Sequence, residues 1–319
     1  MSSRRSFLFG AIASATSAQS AFAAGPAKLE VGYVPSMLFA PVFVAAERGY
    51  FKEAGFDADL TPIVAGQDAM ALAAAGRIDF VAAALSAAFY NAVARDLDVR
   101  FVASTAYQPK HGHPSALMVR KDLWVSGART LQALRGKKIG WIGGAGAVSA
   151  YYVARILRPA GLALADVESV NIANPDQAVA LQRKAIDAVF TSSPFTEAFE
   201  RDNLARTIGF PPAGISGSGI FFGPSLTKNL DLAHAAIAAC RKAAAELQGA
   251  GYLAPDALAA YAKYTKQPID VIRGSARYDI YPDLRIDQST VEDVQREFMA
   301  EGILAYKAPL NEALLVARY

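Results

Sequence analysis

Charge, cysteine and histidine are all scarce in this chain. Asp, Glu, Lys and Arg together make up only 19% of 319 residues, with 32 basic against 29 acidic side chains and a net charge of +3. Lys and Arg nowhere form a stripe interleaved with aromatics, which excludes a nucleic-acid surface. A single cysteine, Cys240, excludes an intrachain disulfide. It lies in AHAAIAACRKAAAEL, a helical pattern in which a small buried hydrophobe is the expected role. Of three histidines, His111 and His113 sit together in KHGHP with no further His or Cys nearby, so a loop or hinge position is expected there and no metal site. No G-x-S-x-G motif and no P-loop lysine is present. Past the N-terminus no apolar run approaches the ~20 residues that a membrane helix needs.

Apolar residues, by contrast, are plentiful at 53%, enough for a well-packed globular protein. The N-terminus reads MSSRRSFLFGAIASATSAQSAFAAG: two arginines, a short apolar stretch and the small-x-small pattern AFA. This is an export signal of twin-arginine type, with cleavage expected after Ala23 or Ala24 and a periplasmic mature protein. Loss of Arg4 and Arg5 with residues 1–24 would leave a net charge of about +1.

From residue 28, short apolar runs alternate with amphipathic stretches. KLEVGYV, FDADLTPI, IDFVAAA and VRFVASTA read as strands, separated by helical segments such as APVFVAAERGYFKEAG and LSAAFYNAVARD. A second alternation begins at SALMVRK and KKIGW and runs through VESVNI, PDQAVALQRKA, IDAVFTS and ARTIGF. Alternation at this spacing predicts parallel strand pairing through helical crossovers. ALAAAGRIDFVAAA and VALQRKAIDAVFTS echo each other, which suggests two lobes on one plan. The expected division is an α/β lobe of residues 25–114 plus 213–319, with a second lobe of 115–212 inserted. Crossings are expected near Pro114 and in the Gly/Pro/Ser-rich stretch PPAGISGSG. After one more strand, IFFGP, the chain reads as helix, including an unbroken segment LTKNLDLAHAAIAACRKAAAELQGAG.

VGYVPSMLFAPVFVAAERGYFKEAGFDADL, AAGRIDFV, TLQALRGKKIG and AIDAVF together resemble periplasmic solute-binding proteins of ABC importers, in the sulfonate, taurine, nitrate and thiamine-pyrimidine group. They resemble the related pyrimidine-synthase family as well. The resemblance implies the type II periplasmic-binding-protein fold: two α/β lobes, a ligand cleft and two hinge crossings. It also implies a small-molecule ligand, a permease and its ATPase as partners, a monomer, and no cofactor.

In open α/β sheets, ligands sit beyond the carboxyl ends of the strands, where helix N-termini present unpaired N–H groups. The candidate ligand-binding residues are therefore Ser36, Phe39, Gly66, Gln67, Leu85, Ser86 and Tyr107 in the first lobe. In the second they are Gly144, Ala145, Gly146, Ala147 and Ser149 of GGAGAVSAYY, with Thr191 and Ser192 of TSSPF. GGAGAVS lacks G-x-G-x-x-G spacing and a following acidic ribose ligand, so it reads as a capture turn and not a dinucleotide loop. Many relatives carry an acidic residue after the second-lobe strand, whereas here Glu197 comes only further into the helix. Hydroxyls and backbone N–H groups then suit an anion or a neutral polar ring, and Phe39, Tyr107 and Tyr151 offer aromatic faces for a planar one. An enzyme of the pyrimidine-synthase type is the competing reading, but the single cysteine excludes its cysteine-rich iron motif. A binding component of a sensor system is a third, with the same cleft and a different partner.

Overall fold

Runs such as LEVGY and FVAAA are too short for buried helices and are bounded by polar or glycine-containing turns, so they pair as strands. In the computed structural model, which describes residues 25–64 and 66–319, they do so in two five-stranded sheets. The expected export signal lies outside the described residues. In chain order the strands are β1 (Ala27–Tyr33), β2 (Phe56–Pro62), β3 (Phe80–Ala84), β4 (Arg100–Ala106), β5 (Ser115–Arg120), β6 (Lys138–Trp141), β7 (Glu168–Asn171), β8 (Ala188–Ser192), β9 (Ala205–Gly209) and β10 (Ser218–Phe222). The first sheet has the order β2-β1-β3-β10-β4 and the second β7-β6-β8-β5-β9. The chain thus forms two α/β lobes, and the two echoing segments end in β3 and β8, the middle strand of each sheet.

Parallel pairing holds for β1 with β2 and β3, and for β6 with β7 and β8. It fails for β10, which runs antiparallel to β3 and β4, and for β5, antiparallel to β8 and β9. The cause is the connection. β5 and β10 each enter directly from the other sheet, so no helical crossover returns the chain to the end a parallel strand must start from.

The two crossings, residues 107–114 and 210–217, are tied to each other. Gln108 N donates to Ile215 O at 2.9 Å and Gly214 N to Gln108 O at 2.7 Å. The His113 ring stacks on Phe210, one from each crossing, at 3.5 Å between centroids.

One core lies under the first sheet, where Leu29, Val31 and Tyr33 point inward at period two. Phe43 stacks on Tyr264 at 4.9 Å there, with Tyr33 edge-on to both. Full burial of an apolar side chain such as Phe43 contributes about 1.5–3 kcal/mol. The helix expected to run unbroken from 226 is interrupted: Pro224–Thr227 is a single turn, and Leu230–Glu246 starts anew from Asn229, whose Oδ1 accepts from Leu232 N at 3.2 Å. A second core spans both lobes, bringing Tyr90, Phe221 and Phe298 together with Tyr151 and Leu157. Among the described residues no helix is long and apolar enough to cross a membrane.

Candidate functional site between the lobes

The glycine turn after β6 is one place where the lobes touch. Gly143 takes φ 85°, a left-handed conformation that glycine adopts without penalty, and residues Gly144–Gly146 form one 3-10 turn. The second lobe braces it: Trp141 Nε1 donates to Gly144 O at 2.9 Å, and Gly143 N donates to Asn171 Oδ1 at 2.9 Å. The helix Val148–Leu157 follows, with Ala147 in extended conformation at its N-cap. Val148 N donates to Leu85 O across the lobes at 3.1 Å, and Ser86 pairs with Ala147 as an isolated bridge. A Cβ added at Gly146 would lie 3.2 Å from that of Ala87, so glycine permits this approach.

Several buried, uncharged polar groups lie at the strand ends and the first crossing. Ser86 Oγ and Thr191 Oγ1 are buried and without hydrogen-bond partners, at 4% and 3% residue exposure. They sit at the carboxyl ends of β3 and β8. A buried hydroxyl left unsatisfied costs about 1–3 kcal/mol, a cost that a bound polar group would remove. Ser115 Oγ lies 3.0 Å from Tyr278 Oη and accepts from Gln108 Nε2 at 3.1 Å.

The other expected residues are placed less uniformly. Ser36 Oγ accepts from Leu38 N at 3.4 Å, capping a short turn, and Phe39 is buried in the first-lobe core. Gly66 opens the helix Gly66–Ala74, and the Gln67 side chain lies outside the described residues. Tyr107 is held by the C-terminal part of the chain. Its backbone pairs with Asp279, its hydroxyl donates to Arg285 O at 2.5 Å, and its ring meets Tyr281 edge-on at 4.7 Å. Burial pushes its phenol pKa up to about 12. Gly144, Gly146 and Ala147 are half-buried at the lobe contact, Ala145 is exposed, and Ser149 is buried one residue into the helix. Ser192 lies half-buried beside Thr191.

Tyr152 was not anticipated, although it shares a helical face with Ser149 at i, i+3 spacing, which could have marked it. Its hydroxyl accepts from Gly217 N at 2.7 Å, while Gly217 O accepts from Leu85 N at 2.8 Å. The second crossing is thereby joined to both lobes at one residue. Tyr151, the neighbouring aromatic, is 1% exposed in the shared core with Arg155 over its ring at 5.7 Å. The Glu197 carboxylate is engaged within the protein. It accepts from Ser193 Oγ and Thr196 Oγ1, both at 2.7 Å, and from Ala276 N at 2.8 Å. Among the described residues no three His, Cys, Asp or Glu side chains group as a metal site.

The architecture has many solved relatives. The alkanesulfonate-binding protein SsuA of Xanthomonas axonopodis pv. citri, solved with MOPS bound, superimposes with a TM-score of 0.72 at 18% identity, covering 93% of this chain and 100% of that one. The periplasmic aliphatic sulphonate-binding protein SsuA of Escherichia coli gives 0.70 at 19% identity, over 89% and 96%. The periplasmic nitrate-binding protein NrtA of Synechocystis PCC 6803 gives 0.65 at 11%, over 89% and 83%. The desulfurization enzyme DSZB has the same fold, with 0.60 at 15% identity over 92% and 96%. At these identities the likeness is one of fold, and it is the periplasmic-binding-protein fold. No curated protein sequence matches the chain. The NMT1/THI5-like family model matches residues 36–213, more than half of the chain, which therefore belongs to the NMT1/THI5-like family.

Proposed function

We propose that this protein is the extracytoplasmic binding component of an ABC importer, capturing a small polar, anionic or planar solute by closure of lobe 25–114 plus 213–319 on lobe 115–212. The observation that carries this reading is the pair of buried, unpartnered hydroxyls, Ser86 Oγ and Thr191 Oγ1, one at a central strand end in each lobe. Bound solute would satisfy both, and contacts made only when the lobes meet shift the hinge equilibrium toward closure. The Glu197 oxygens already accept from Ser193, Thr196 and Ala276, so they are occupied within the protein. Phe39, Tyr107 and Ser149 are secondary members of the proposed site.

The sulfonate- and nitrate-binding proteins of the same fold support the transport reading. That reading calls for a permease and its ATPase as partners, a periplasmic location after export, and a monomeric state. The enzyme of the same fold raises catalysis as an alternative. Against it, Cys240 is fully buried and burial holds its thiol pKa far above the ordinary value, so the chain's sole thiol is a poor nucleophile.

A thermal-shift screen of the mature protein against sulfonates, nitrate, pyrimidines and aromatic acids tests the proposal. A specific solute should raise the melting midpoint as the logarithm of its concentration. Ser86→Ala and Thr191→Ala should each weaken that shift. A solute that binds both variants as it binds the parent would place the site elsewhere.

A further inference from the structure

The helix Gln288–Ala300 is anchored to the first lobe. Tyr90 Oη donates to Val291 O at 2.7 Å, Phe298 packs edge-on against Tyr90 at 6.1 Å, and Asp287 N donates to Ser104 Oγ at 3.0 Å. Its other side meets the second lobe's Val148–Leu157 helix. Arg155 Nη1 lies 3.1 Å from Asp293 Oδ2, and Arg158 Nη2, at the end of that helix, 2.6 Å from Glu297 Oε2. The partners recur at i, i+3 on one helix and i, i+4 on the other, so both pairs line one seam. Ile303, just beyond the helix, lies 3.7 Å from where a Gly146 Cβ would be, beside the glycine turn.

We infer that Arg155–Asp293 and Arg158–Glu297 form an ionic clasp that sets the balance between open and closed lobes before any solute binds. This rests on the reading of the two lobes as a closing pair. Such partly exposed pairs are individually weak and screened by salt. They flank the shared core that holds Val294 and Phe298 with Tyr151 and Leu157, which separation along this seam would also expose. The pairs add a bias to that packing and together should shift the balance about fivefold. Arg296 faces Asp293 from its own helix and Glu292 lies beside it, so the clasp competes with pairing inside the first lobe. Ligand affinity should then fall with rising salt even for an uncharged solute.

The test is an interlobe distance in the ligand-free protein, read by spin or fluorophore labels at Asp59→Cys on β2 and Ser169→Cys on β7, the outer strands of the two sheets. Both positions are exposed and Cys240 is buried, so labelling is selective. Asp293→Asn with Glu297→Gln keeps side-chain shape and should enlarge the long-distance population about fivefold at low salt, an effect that disappears at high salt. Exchanging all four charges (Arg155→Glu, Arg158→Glu, Asp293→Arg, Glu297→Arg), together with Arg296→Gln so that the new arginine at 293 meets no like charge on its own helix, should restore the parental distribution. The clasp is overturned if the neutralised variant keeps the parental distances, or if a folded charge-exchanged variant does not recover them. No solute enters the measurement, so failure to find a ligand would count against the transport reading alone.

Discussion

Gly146, just before the helix Val148–Leu157, and Tyr152, within it, both hold the lobe contact. Gly146→Val would put branched carbons against Ala87, where even a Cβ has only 3.2 Å, and should hold the lobes apart. Calorimetric titration with a solute identified by thermal shift should show its affinity reduced at least about tenfold, with the fold retained by circular dichroism. Tyr152→Phe keeps the ring but leaves Gly217 N without its acceptor, a buried loss worth about 1–3 kcal/mol that urea unfolding would measure. Of these two residues only the glycine was legible in the sequence. Its neighbours mark a strand-to-helix turn whatever the rest of the chain does. The role of Tyr152 depends on a crossing residue 65 positions away, and no local pattern encodes that.

Among the elements, the helix Gln288–Ala300 and the second crossing share one side chain. Asp287 caps the helix by accepting from Thr290 N at 3.1 Å, and it accepts from Ser216 N in the crossing at 2.8 Å. Asp287→Ala should cost about 1–2 kcal/mol from the cap alone, more with the crossing bond, and Asp287→Asn should recover part of it in the same urea measurement. Strand positions, the echo between the two lobes and the helix at Val148 follow from periodicity and turn residues, so they were readable. The reversed direction of β5 and β10 was not, because SALMVRK and GIFF carry the same pattern whichever way they pair. The break before Leu230 was readable in principle from Asn229, a standard cap residue between two apolar stretches.

At the scale of the whole molecule, burial ties stability to the protonation of tyrosine. Burial pushes the phenol pKa of Tyr107 up to about 12 and raises those of Tyr90, Tyr152 and Tyr261. A group whose folded pKa is raised keeps its full contribution below the unfolded value. The tyrosine contribution should therefore be level below about pH 10, and stability should fall as pH rises from there toward about 12, as phenolates form more readily in the unfolded chain. Urea midpoints measured across that range, with tyrosinate absorbance followed in parallel, check this. The two-lobed architecture follows from two sheets joined by two chain crossings, and the central claim is that a solute is held where their strand ends meet. A crystal structure of the protein with its strongest thermal-shift binder tests that claim most directly. The solute should contact Ser86 Oγ and Thr191 Oγ1 at once, enclosed by both lobes. A solute bound to one lobe alone, or in the recess lined by Pro109, Asp279 and Tyr281 at the crossings, would contradict it.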